Sequence, residues 1–319
     1  MSAEKEEDDH MNREELKDLM RGIIVATPTP FDDNFEIDHG KMANLTDWWV
    51  DSGLVEGKAV IKCVSVMGEV SQLADDEWPF LVRTVARAAN GKVPVIGGIH
   101  GKDTKRSIDD AKRAQEMGAI GIQVSPPLFN DPNQDDILRY FQALSDGIEI
   151  GIMIYNNPWY PHGEIMADTF MKMADFEHVV AIKWCQPLSY EYGEMEALAP
   201  HFNILENGTN LAECFRLGGV GFLDEQATAY PQHELDILAF LEAGKYDEGQ
   251  ALWDSVTNPL RDVYVKMTER SGGQARLKKA VMEAMGMPIG SMRPPSLPHS
   301  EDELDELRGL MRGFGWPVP

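Results

Sequence analysis

Lys183 ends the run His178-Val-Val-Ala-Ile-Lys183-Trp184, and Tyr155 ends the run Ile150-Gly-Ile-Met-Ile-Tyr155. A lysine closing an apolar strand is costly to bury, so it invites a chemical reading. Apolar surroundings penalise its charged form and bring the pKa down from roughly 10.4 toward neutrality. The free amine then attacks a ketone or aldehyde carbon, and the resulting Schiff base draws electrons from a neighbouring C–C or C–H bond. That sequence of steps needs a proton shuttle, which a tyrosine hydroxyl on an adjacent strand end can supply. The competing reading is a strand-end lysine whose stem packs and whose ammonium reaches water. Lys62, inside Gly57-Lys-Ala-Val-Ile-Lys-Cys-Val64, is a second candidate amine.

The elements that must position these groups follow a repeated strand-then-helix pattern. From residue 16, short apolar runs alternate with helical patterns eight times, the runs beginning at Gly22, Gly57, Val93, Ile120, Ile150, Val179, Phe202 and Val220. Helices between consecutive strands imply parallel pairing, and closing eight strands into a (β/α)8 barrel removes exposed sheet edges. The expected organisation is an acidic, disordered tail over 1–15, a barrel over 16–245, and a C-terminal extension over 246–319. Three helices are expected in the extension, near 246–270, 275–286 and 302–313. A doubly wound open sheet fits less well, because no GxGxxG follows an early strand.

Side-chain alternation assigns faces to the strands. Gly151, Met153 and Tyr155 should face the barrel interior and Ile150, Ile152 and Ile154 the helices. Likewise Ala181, Lys183 and Cys185 should point inward, with Val180, Ile182 and Trp184 outward. Lys62 is expected to face outward if Ser65 faces the mouth.

The 319 residues carry 29 Lys+Arg against 53 Asp+Glu, a net charge of −24 that argues against nucleic acid or an anionic membrane as partner. Cys63, Cys185 and Cys214 are widely spaced, which fits a reducing compartment better than a disulfide framework. No run reaches the roughly 20 apolar residues of a membrane span, and a cytoplasmic protein is expected. The eight histidines form no HxH or HExxH spacing, so no metal site is expected.

The ordered set Ala26-Thr-Pro-Thr-Pro-Phe31, Gly68-Glu69, Tyr155-Asn156-Asn157-Pro158, Ile182-Lys183 and Arg293-Pro-Pro295 resembles the dihydrodipicolinate synthase/N-acetylneuraminate lyase family of class I aldolases. The resemblance spans about residues 20–314. It implies that Lys183 forms a Schiff base with pyruvate or another 2-oxo acid, that Tyr155 shuttles protons, and that Ser65–Glu69 receives the carboxylate. It also implies a homotetramer or homodimer working without metal or organic cofactor.

Several positions depart from the family pattern. Ser65, Val66 and Met67 stand where Gly-Thr-Thr is usual, so the proton-relaying threonine is replaced by Val66. Pro126-Pro-Leu-Phe-Asn-Asp131 lacks the synthase's tyrosine pair and arginine, which disfavours aspartate semialdehyde as substrate. Trp159, Tyr160, His162 and Trp184 make an aromatic-rich surround that fits a bulky or aromatic aldehyde. The expected activity is a carbon–carbon lyase, an aldolase or hydratase-aldolase, with Ser65, Val66, Met67, Asn157, Trp184 and Gln186 contacting substrate. Dehydration of a sugar acid through the same Schiff base, or a catalytically silent 2-oxo-acid-binding protein, are the alternatives.

Overall fold

A computed structural model describes residues 11–99 and 102–319. Eight parallel strands close a barrel in chain order: β1 (Gly22–Ala26), β2 (Ala59–Cys63), β3 (Val95–Ile99), β4 (Gly121–Val124), β5 (Gly151–Tyr155), β6 (Val179–Trp184), β7 (Asn203–Glu206) and β8 (Gly221–Leu223). Ahead of β1 lies α1 (Arg13–Leu19). The outer ring contains α2 (His39–Asp51), α3 (Trp78–Ala89), α4 (Thr104–Glu116), α5 (Gln134–Asp146), α6 (Ala167–Lys172), α7 (Met195–Leu198), α8 (Leu211–Arg216) and α9 (Pro231–Glu242). The extension consists of α10 (Tyr246–Arg270), α11 (Arg276–Ala284) and α12 (Glu301–Gly313). The open-sheet alternative is thereby excluded, since β8 pairs with β1.

The expected tail differs from what is found. Residues 1–10 lie outside the described residues, but Arg13–Leu19 is helical, started by Asn12, whose side chain accepts from the Glu15 amide while Glu15 caps back. This helix closes the N-terminal end of the barrel: Leu16 and Met20 are fully buried with Ile24, Val60, Ile96 and Met153.

Pairing registers order the interior into layers. At one level in an eight-stranded barrel of shear eight, each step to the next strand advances the register by about one residue. Val60, Gly121, Ala181 and Gly221 form the lowest of these layers, and Ile24, Ile96, Met153 and Leu205 the one above. Two steps on from Lys62, through Ile96 and Gly121, lies Gln123; two more, through Met153 and Ala181, lies Lys183; then Leu223, and back to Lys62. Lys62, Gln123, Lys183 and Leu223 are therefore one layer, and Ala26, Gly98 and Tyr155 stand above it.

Lys62 accordingly points into the barrel, not outward. The reason lies beyond the strand: Val64 adopts φ 49°, a left-handed conformation that breaks the alternation between Lys62 and Ser65. Ser65 therefore says nothing about the facing of Lys62. Val180 also turns inward, because the β5–β6 register shifts beside it, where Ile152 pairs with Val179 but Met153 with Ala181.

Candidate active site

Tyr155 and Lys183 are register partners at the C-terminal ends of β5 and β6. The Lys183 amine lies 3.6 Å from the centre of the Tyr155 ring. Only 8% of Lys183 is exposed, and burial pulls its pKa down to about 8. Burial also pushes the Tyr155 hydroxyl above its ordinary value, so it stays protonated at neutral pH. A poorly solvated amine beside a protonated phenol is the arrangement that amine attack on a carbonyl requires.

The loop after β2 supplies donors. Between the left-handed residues Val64 and Glu69, the amides of Ser65, Val66, Met67 and Gly68 have no acceptor among the described residues, and the buried Ser65 hydroxyl has no partner there either. Successive free amides form a concave anion site without a basic side chain. Two glycines make the turn fit. A Cβ on Gly98 would come 2.7 Å from Ser65 Cα, and one on Gly68 would come 2.8 Å from the Val64 nitrogen. Below the turn, Glu69 does not open a helix through its side chain. Its carboxylate is buried against Lys279 of α11 at 2.7 Å, tying the turn to the C-terminal extension.

Two cavities flank these groups. A cleft of about 850 Å³ includes Val66, Gly98, Ser125, Phe129, Tyr155, Asn157, Trp159 and Tyr160 in its lining. Asn157 is buried and donates to Ser125 Oγ at 2.9 Å, which fixes its amide. A smaller cavity of about 290 Å³ includes Met67, Glu225, Gln226, Arg261, Tyr264 and Lys278, and Gln274 borders both spaces. Behind the smaller cavity, Asp224 Oδ2 accepts from Lys278 at 2.8 Å and its Oδ1 from the Ala26 amide at 2.5 Å.

Of the residues expected at the site, Lys183, Tyr155, Ser65, Val66, Met67 and Asn157 are brought to the mouth. Trp184 is not: it points outward, fully buried among Phe170, Tyr190 and Tyr192. Gln186 is exposed beyond the end of β6, and among the described residues its amide donates to the carbonyl of Pro187, at 3.4 Å. His162 lies on the surface against Asp131 at 2.9 Å. The buried pairs Glu69–Lys279 and Asp224–Lys278 and the Lys62–Gln123 contact were not anticipated. Adjacent lysines at 278 and 279 inside an amphipathic helix were the available signal.

The sequence model described as the dihydrodipicolinate synthetase family matches residues 19–313. The chain belongs to this family. It is 27% identical over 298 residues to a 4-hydroxy-tetrahydrodipicolinate synthase of Clostridium novyi, covering 93% of this chain and 97% of that one. A dihydrodipicolinate synthase of Bacillus anthracis superimposes with TM-score 0.78 at 26% identity, over 94% of this chain and 98% of that one. A prophage protein of E. coli K12 from the same family, solved in complex with pyruvate, gives TM-score 0.80 at 22% identity, over 93% and 99%. As a member of this family the chain is a class I aldolase/lyase enzyme, and its identity to these relatives is that of a divergent member. Among the described residues, no group of three or more His, Cys, Asp or Glu is arranged to hold a metal, and no helix is long and apolar enough to cross a membrane.

Proposed function

We propose that this protein is a carbon–carbon lyase that binds a 2-oxo acid as a Schiff base on Lys183. The observation carrying this reading is the buried amine, 3.6 Å from the Tyr155 ring centre, at the same barrel end as a turn whose four amides have no acceptor among the described residues. The carboxylate of the 2-oxo acid sits on the Ser65–Gly68 amides, and the Ser65 hydroxyl supplies a further contact. Lys183 attacks C2, Tyr155 gives its proton to the hydroxyl that leaves as water, and the resulting phenolate takes the C4 hydroxyl proton as the iminium accepts the electron pair of the breaking C3–C4 bond. An aldehyde departs and an enamine remains. Protonation at C3 and hydrolysis then release the 2-oxo acid and restore the lysine.

The aldehyde portion occupies the larger cleft, where Phe129, Trp159 and Tyr160 favour a bulky or aromatic group. Trp184 makes no contribution there, so this preference rests on those three side chains. A second reading, dehydration of a sugar acid through the same Schiff base, draws support from the smaller cavity: buried Gln226 Oε1 has no donor among the described residues and is suited to a substrate hydroxyl.

A single assay separates the readings. The protein is given 4-hydroxy-2-oxo acids bearing aryl or polyhydroxylated tails, and free aldehyde and pyruvate are followed together. Aldehyde release from aryl substrates, lost in Lys183→Arg, supports the lyase. Water loss from polyhydroxylated acids without aldehyde supports the dehydratase, and no turnover of either class contradicts both.

A further inference from the structure

The lyase steps use the larger cleft and leave the smaller cavity, of about 290 Å³, without a task. It lies past the end of β8 against α10 and α11, and Met67 of the carboxylate-binding turn forms part of its wall. Two acceptors in its lining lack a donor among the described residues. Gln226 is 2% exposed and its Oε1 is unpartnered. The Glu225 carboxylate accepts no hydrogen bond and forms no ion pair there. Its neighbour Asp224 differs, since Lys278 and the Ala26 amide occupy its two oxygens.

Glu225 also faces the reacting centre. Its Oε1 would lie 3.4 Å from a Cβ on Gly208, in the loop after β7, so the side chain crosses from the end of β8 over the end of β7. The next strand is β6, which carries Lys183. Burial lowers the pKa of Lys183, and the charge of Glu225 is among those that oppose this.

We propose that the smaller cavity is a second tail subsite, selective for a neutral hydroxylated chain, in which Glu225 and Gln226 accept from the chain's hydroxyls. This inference rests on the Schiff-base reading and makes Glu225 the residue that decides which tail is taken. One Lys183 then serves two kinds of 2-oxo acid, aryl-tailed ones through the larger cleft and hydroxylated ones through the smaller cavity. A single carboxylate turn suits both, because Val66 lines the larger space and Met67 the smaller.

Charge and hydrogen bonding select the class. Asp224 and Lys278 form a neutral pair, and the Glu225 carboxylate is balanced by the exposed Arg261 guanidinium without touching it. An ammonium tail would meet Arg261 and Lys278, and a carboxylate tail would meet Glu225 and Asp224. An apolar tail would cover two acceptors and give them no donor, which is costly. Hydroxyls satisfy both acceptors and add no charge. A site built around such bonds discriminates against the analogue that lacks the hydroxyls.

The test is borohydride trapping on Lys183 within a single turnover, with pyruvate, 2-oxohexanoic acid and a six-carbon 2-oxo acid hydroxylated at C4, C5 and C6. The half-maximal concentration of each six-carbon acid is divided by that of pyruvate on the same protein, which cancels the action of Glu225 on Lys183 itself. Relative to wild type, Glu225→Leu should raise this ratio about tenfold or more for the hydroxylated acid and leave it level or lower for 2-oxohexanoic acid. Glu225→Gln keeps the shape and one acceptor, and Gln226→Met removes the other; each should raise the hydroxylated ratio about threefold. A merely structural glutamate would lower the melting temperature and move both six-carbon acids together, and that result overturns the subsite. So does an unchanged hydroxylated ratio in folded Glu225→Leu or, should that variant not fold, in both Glu225→Gln and Gln226→Met. Wild type that traps no pyruvate on Lys183 overturns the Schiff-base reading instead, and the subsite with it.

Discussion

At the N-terminal end of the barrel, Leu16 and Met20 close over Val60, Gly121, Ala181 and Gly221, a layer with no charged side chain. Two layers higher, the same eight strands hold Lys62 and Lys183, and just beyond them stand the buried pairs Asp224–Lys278 and Glu69–Lys279. The lower end is built from apolar contacts, whose removal costs stability and nothing else. The upper end buries amines and carboxylates that packing alone does not require. The lower end can thus be disturbed without touching the chemistry, whereas the charged upper end carries both chemistry and part of the stability.

Removing the Tyr155 hydroxyl should have the largest effect, and only on chemistry. Tyr155→Phe is expected to slow Schiff-base formation roughly 10²–10⁴-fold, the usual contribution of a positioned proton donor. Single-turnover trapping measures this, and a matching loss of thermal stability would blur the separation.

Next in size, Asp224→Ala strands the buried Lys278 ammonium and frees the Ala26 amide; denaturant unfolding should show a loss of about 3–5 kcal/mol. Asp224 and Lys278 share the upper end with the site, so this variant should also slow trapping. At the opposite end, Leu16→Ala should cost about 2–5 kcal/mol through the cavity it leaves, with the trapping rate unchanged. A slowed rate in that variant would show that the two ends are coupled after all.

The last effect shows as a pH dependence and concerns Glu234 of α9, whose carboxylate is buried behind the mouth and accepts the Gln226 amide at 2.9 Å. Burial pushes its pKa up to about 8. The folded protein therefore holds a proton that the unfolded chain releases above roughly pH 4.3, and stability from this group is lost as pH rises toward 8. Glu234→Gln keeps the acceptor and removes the titration. Urea unfolding should find the variant more stable than wild type at pH 8 and similar to it at pH 5.

The barrel and the Tyr155–Lys183 pair were legible because alternation along a strand is local. Gly151, Met153 and Tyr155 fall on one face whatever surrounds them. Trp184 shows the same rule at work: alternation places it outward, and its position beside Lys183 in the chain does not bring it into the pocket. Lys62 was misplaced because one left-handed residue, Val64, intervenes between the strand and Ser65, and a valine gives no sign of that conformation. The first helix had a readable start in Asn12-Arg-Glu-Glu15, masked by the acidic decapeptide before it. The Glu69–Lys279 and Asp224–Lys278 pairs join residues far apart in the chain, and no periodicity marks such partners.

The most direct test of the account is where a 2-oxo acid becomes attached. The protein is incubated with pyruvate, reduced with borohydride and digested, and the modified peptide is sequenced by mass spectrometry. A single adduct on Lys183, absent from Lys183→Arg, is the predicted result. An adduct on Lys62, or none on a protein that remains folded, would contradict it.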